Sequence, residues 1–158
     1  MLRELHIENF ALIESLNVNF ESGLNTITGE TGAGKSIILG AMGLILGAKS
    51  DATQVKSGAR NCVVEMTFKL SESFSELFEQ MDIEWFEQTI IRRTISSEGR
   101  SRAYINDQPV TLQDLKTLTS RLIDIHSQHQ NLLMGREDFL LSVLDAVAAN
   151  DAERAVYA

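Results

Sequence analysis

A single cysteine in 158 residues, Cys62, excludes an internal disulfide, and no Cys/His cluster offers zinc spacing. That usage fits a reducing, cytoplasmic setting. No apolar run is long enough to span a bilayer: the longest, Ile37 to Ala48, is short and broken by glycine and alanine. The amino terminus, Met1-Leu2-Arg3-Glu4-Leu5-His6, carries charges where a secretory leader would be apolar, so no membrane role follows. Basic side chains are the scarce sign, with 14 Lys and Arg against 22 Asp and Glu and a net charge of −8. A domain that gripped a DNA backbone unaided would carry the opposite excess on one face. Arg92, Arg93, Arg100 and Arg102 are the one basic cluster. They read either as a local phosphate-contacting patch or as a solvated hairpin surface held by ion pairs.

What is present describes a globular chain of one domain with at most a small appendage, 44% apolar, with the core expected at this length. Residues 2 to 8 alternate as a half-buried strand does, and residues 13 to 20 alternate toward their end. A turn at Glu21-Ser22-Gly23 leads to a further expected strand, Leu24-Asn25-Thr26-Ile27-Thr28. From Lys35 the apolar positions Ile37, Ile38, Ala41, Met42, Leu44 and Ile45 predict a well-buried helix stopped by Gly47. Residues 62 to 70, 89 to 95 and 102 to 106 read as strands, the last two joined by a glycine-containing loop. Ser73 to Met81 suits a short helix, and Asn106-Asp107-Gln108-Pro109 a turn holding the sole proline. Thr111 is placed to cap a helix through Ile123, and a further helix is expected from Glu137.

The chemistry sits between the expected strand 24–28 and the helix. Gly29-Glu30-Thr31-Gly32-Ala33-Gly34-Lys35-Ser36 matches the P-loop pattern, in the strand-before and helix-after context that the pattern requires. Small residues let backbone N–H groups converge on phosphates, and the helix aims its positive end at the same anion. In that arrangement Lys35 neutralises the β- and γ-phosphates of ATP, and the Ser36 hydroxyl ligates Mg²⁺.

The type of P-loop protein is narrowed by what does not occur. Neither an Asn-Lys-x-Asp string nor an Asp-x-x-Gly switch is present, against a GTPase. A small kinase should begin its parallel sheet with the P-loop strand, whereas here two strand-like segments come first and hairpins follow. That order predicts an α/β P-loop NTPase of the ABC type, with a mixed sheet and an antiparallel β-subdomain.

Four stretches occur together in order: Glu8-Asn9-Phe10-Ala11-Leu12-Ile13, the P-loop with its preceding Ile27-Thr28, Gly99-Arg100-Ser101-Arg102-Ala103-Tyr104-Ile105-Asn106, and Ile125-His126-Ser127-Gln128-His129-Gln130. From Met1 to about Asp145 the chain closely resembles the amino-terminal part of the RecN-like family of bacterial DNA repair proteins, relatives of the SMC proteins. The resemblance implies an ABC ATPase head assembled from both ends of a longer polypeptide, with a coiled coil between, acting in double-strand break repair and recombination. It places Gln128 as the Q-loop glutamine, touching Mg²⁺ and the attacking water. It implies as partners a carboxy-terminal head lobe, a second head in an ATP-sandwiched homodimer, and DNA through the full-length protein, in the cytoplasm and associated with the nucleoid. His126 and His129 find no third metal ligand in the sequence, which favours solvent-facing or hydrogen-bonded histidines.

No apolar strand ending in Asp-Glu is present, and Leu140-Leu141-Ser142-Val143-Leu144-Asp145 lacks the Glu and has helical periodicity. The signature Ser-Gly-Gly turn is missing too. Residues 1–136 are therefore expected to form one lobe of a head and residues 137–158 the start of a coiled-coil helix. Such a lobe should bind nucleotide weakly and hydrolyse it poorly. Two rivals stay open: a self-contained phosphotransferase with Asp124 as base, and a dimerisation module that uses ATP without turnover.

Overall fold

The computed structural model describes residues 1–28 and 33–125, and of Ala33 only the backbone. The chain divides into two compact units, Met1–Asp124 and Ile125–Ala158, and all the elements below lie in the first. The helix expected from Glu137, the His126–Gln130 string and the boundary at 136/137 lie outside the described residues.

Six strands make one sheet in the order β2-β1-β3-β4-β5-β6: β1 Leu2–Phe10, β2 Ile13–Asn19, β3 Asn61–Lys69, β4 Gln88–Ser96, β5 Ser101–Ile105 and β6 Gln108–Val110. Every pairing among the described residues is antiparallel. Alternation sorts the faces. On the inner face Leu5, Met66, Ile91 and Ile105 make one row across the strands. Ile7, Val64, Arg93, Ala103 and Val110 make the next, and all but Val110 are buried. On the outer face His6, Glu65, Arg92, Tyr104 and Pro109 make a largely polar row.

The inner face is covered by helix α1, Ala33–Ile45, against β3 and β4, and by α3, Leu112–Thr119, against β5. A short helix α2, Ser75–Gln80, lies between β3 and β4 in sequence and buries Leu77 and Phe78. Helix α1 buries Ala41, Leu44 and Ile45, with Ile37 and Ile38 half-buried, a stripe at the helical period. Its end is closed by a Schellman arrangement: Ala48 N–H donates to Gly43 O at 2.9 Å and Gly47 N–H to Leu44 O at 3.0 Å. Gly47 takes the left-handed conformation this requires, with φ +83°.

Three expectations need correction. Residues 24–28 form no strand and pair with no strand among the described residues; Leu24 is 95% exposed and Ile27 44%. A strand exists only where a neighbour accepts its hydrogen bonds, and none of the described residues offers one. The turn after β5 is shorter than expected: Asn106 and Asp107, both at positive φ, make a two-residue hairpin, and Gln108–Val110 returns as β6. Pro109 is tolerated because β6 is an edge strand. Helix α3 stops at Thr119 rather than Ile123, although Thr111 caps it as expected.

Candidate nucleotide site

Helix α1 begins at Ala33, so Gly34, Lys35 and Ser36 occupy its first turn, and all three are exposed. The first amides of a helix have no partner within it, and the aligned peptide dipoles make that end equivalent to about half a positive charge. Lys35 adds a full charge within the same turn. Gly34 has ordinary helical φ, and a Cβ built on it would meet none of the described residues within 4 Å. Packing within the described chain therefore does not demand glycine there, although glycine in a helix costs about 0.5–1 kcal/mol against alanine. The open space suits the close approach of an external group. Ser36 places a hydroxyl one residue beyond Lys35, as phosphate-bound Mg²⁺ would need. The described part of the motif thus fits an anion with its cation.

Gly29, Glu30, Thr31 and Gly32 lie outside the described residues, as does Gln128. Asp124 is exposed, beyond the turn that follows α3. No group of three or more His, Cys, Asp or Glu side chains that could hold a metal occurs among the described residues. No described helix is long and apolar enough to cross a membrane.

The arginine cluster comes apart in the fold. Arg92 lies on the outer face, pairs with Asp107 at 2.6 Å and Glu65 at 3.6 Å, and sits 5.0 Å over the Tyr104 ring. Arg100 is exposed in the β4–β5 hairpin loop and pairs with Glu98 at 3.0 Å. Arg60, Arg100, Arg102 and Tyr104 line an open concavity of about 450 Å³. Arg93 alone points inward and is 3% exposed. Burial pulls its guanidinium below its ordinary value. Proximity in the sequence groups these four, whereas the two-residue strand period turns Arg93 alone inward, away from the other three.

A head lobe of the SMC type is the class that this sheet, with a P-loop helix on its inner face, defines. An SMC ATPase chain, from a structure concerned with ATP-driven dimerization and DNA-stimulated activation, matches with a TM-score of 0.64 at 20% identity. The match covers 98% of this chain and 95% of that one, and it shows the fold alone. The chain belongs to the AAA domain family, which matches residues 4–147. Among curated relatives, the DNA repair protein RecN of Vibrio cholerae serotype O1 is 41% identical over 152 residues, covering 95% of this chain and 27% of the relative. That of Bacillus subtilis (strain 168) is 40% identical over 160 residues, covering 99% and 28%. The resemblance to the RecN-like family is borne out, and so is the SMC-type head lobe. The chain spans a little over a quarter of the length of these relatives.

Proposed function

We propose that this chain is the ATP-binding lobe of a RecN-like ATPase head that serves DNA double-strand break repair and recombination in the bacterial cytoplasm, at the nucleoid. The observation that carries the reading is the exposed first turn of α1, with Gly34, Lys35 and Ser36 at its positive end and no described residue crowding Gly34. Gly29 to Ala33 complete the loop around the phosphates, with Gly32 and Gly34 admitting the closest approach. Lys35 binds the β- and γ-phosphate oxygens and holds the charge that builds there during transfer. Ser36 and Gln128 would hold Mg²⁺, which would supply neutralisation of phosphate charge. Gln128 also orients the attacking water.

The carboxylates that complete the site come from a carboxy-terminal lobe of the same polypeptide. A second head closes over the nucleotide in a homodimer, so nucleotide binding and head association stabilise each other. Exposed Leu24, Ile27 and Leu39 supply apolar surface for the first of these partners. Residues 137–158 start the coiled coil. DNA is met through the full-length protein, and the concavity lined by Arg60 and Arg102, with Arg100 paired to Glu98 beside them, is where this chain would offer its phosphates cationic contacts.

Nucleotide titration of the chain and its Lys35→Ala variant tests this. ATP should bind the parent chain, and the variant should bind at least about tenfold more weakly, a loss of about 1.4 kcal/mol. Neither should turn ATP over above background. Equal affinity in the two would remove the P-loop from the account. Turnover that vanishes with Lys35 would instead favour a self-contained phosphotransferase.

A further inference from the structure

Arg93 is the one charged side chain in the buried set of the described residues, in the middle of the row Ile7, Val64, Arg93, Ala103, Val110. No carboxylate pairs with it among the described residues; its partners are neutral. Nη1 donates to the carbonyl oxygens of Leu44 at 2.8 Å and Ala48 at 2.6 Å, and Nε donates to Ser101 Oγ at 2.9 Å. Taking a guanidinium out of water is expensive, and replacing buried charge by apolar side chains of similar volume is often neutral or stabilising. Closing the helix end does not require it either, because the Schellman bonds already close α1 and Leu44 O already accepts from Gly47. What the guanidinium adds is a tie between elements: the end of α1, strand β4 that carries Arg93, and strand β5 that carries Ser101.

That tie lies at the far end of the helix whose first turn presents Lys35 and Ser36. An α-helix of 13 residues is a stiff rod about 20 Å long, so fixing its last carbonyls fixes the height and rotation of its first turn. A cation at the carboxyl end also complements the helix dipole. We infer that Arg93 is a positioning residue for the nucleotide site, setting the axial placement of α1 from its far end without touching the nucleotide. The inference rests on the ATP-binding role proposed above for α1.

The test uses the full chain with Arg93→Met, Arg93→Lys and Ser101→Ala, beside Lys35→Ala. Affinity for ATP is measured under conditions where each variant is folded, and amide exchange is followed along α1. Arg93→Met should weaken ATP binding by about tenfold. It should also lower protection in the second turn of α1, where the first helical amide bonds form, while β1 and β3 keep theirs. Arg93→Lys keeps a cationic donor for the carbonyls and should recover part of the affinity; Ser101→Ala, with both carbonyl bonds intact, should stay near the parent. A purely structural arginine would lower the denaturation midpoint of Arg93→Met and leave its ATP affinity and early-helix protection unchanged, and that result overturns the inference. Should Arg93→Met not fold, Arg93→Gln, which removes the charge and shortens the reach while staying polar, is measured in its place, and ATP affinity and early-helix protection equal to the parent's overturn the inference there. If the parent chain binds no ATP, or Lys35→Ala binds as well as the parent, the nucleotide role fails. Exchange at the start of α1 then decides by itself whether Arg93 positions the helix.

Discussion

Gly47 offers the sharpest perturbation of the end of α1, because two separable penalties meet there. Its φ of +83° lies where an L side chain costs about 1–2 kcal/mol. A Cβ built on it would stand 2.4 Å from Lys116 Cγ, 2.7 Å from Cε and 3.1 Å from Cδ. Cγ is bound directly to the Cβ of Lys116, so the stem cannot clear by moving only its tip. Shifting it off its preferred rotamer costs about 0.5–1.5 kcal/mol. Gly47→Ala should therefore destabilise by about 1.5–3.5 kcal/mol, a large part of the roughly 5–15 kcal/mol that ordinarily holds a domain. In a Lys116→Ala background Cγ, Cδ and Cε are gone and only the backbone penalty remains. The same glycine change should then cost about 1–2 kcal/mol, leaving a coupling of about 0.5–1.5 kcal/mol between the two positions. Urea denaturation of the parent, both single variants and the double variant, followed by circular dichroism at constant m, measures all four corners. Equal costs of Gly47→Ala in the two backgrounds would refute the contact between α3 and the helix end. A neutral single variant would refute the left-handed backbone as well.

Two local sites give further tests. Cys62 is buried on the inner face, and burial lifts its thiol above the ordinary value. The unfolded chain then loses this proton first, so stability should be constant below the unfolded thiol's value of about 8.5 and fall as pH rises through the folded value. Denaturation midpoints against pH, compared with Cys62→Ala, isolate that slope, and native Cys62 should resist alkylation until denaturant opens the sheet. At the start of α3, Thr111 Oγ1 accepts from Asp114 N–H at 3.1 Å and Asp114 Oδ2 accepts from Thr111 N–H at 3.2 Å. Thr111→Ala should cost about 1 kcal/mol and raise amide exchange at Asp114 and Leu115 while leaving β3 protected.

The strands legible in the sequence are those with one buried face. Cys62, Val64, Met66 and Phe68 are buried on one face because α1 and the core cover that side of β3, while Val63 and Glu65 between them are half-buried and Thr67 alone of the opposite face is also buried. The helix after the P-loop was legible for the same reason, and Gly47 marked its end. Arg93 was misread although its signal was present. It stands at the inward phase between Ile91 and Ile95, both fully buried, and residue type outweighed phase in grouping it with Arg92. What no local pattern could supply was the acceptor pair at Leu44 and Ala48, which lies more than forty residues away in the chain. Strand β6 was hidden by Pro109, whose missing N–H matters only if the strand is central.

The segment 24–28 raises a different question, because its composition favours a strand and the structure withholds one. Strand formation is not a property of five residues; each buried N–H and C=O needs an opposite number on a neighbouring chain segment. Within the described residues the six strands satisfy one another, and residues 24–28 are left beside the P-loop with Leu24 almost wholly in water. Burying such a side chain contributes about 1.5–3 kcal/mol, so leaving Leu24, Ile27 and Leu39 exposed forgoes several kcal/mol. If the head is assembled from both ends of a longer polypeptide, as proposed above, the strand and its partner would be supplied by different ends of that polypeptide. A strand-like segment unpaired here is what such an assembly predicts, whereas a self-contained phosphotransferase would need that strand paired within its own sheet to hold the phosphate loop.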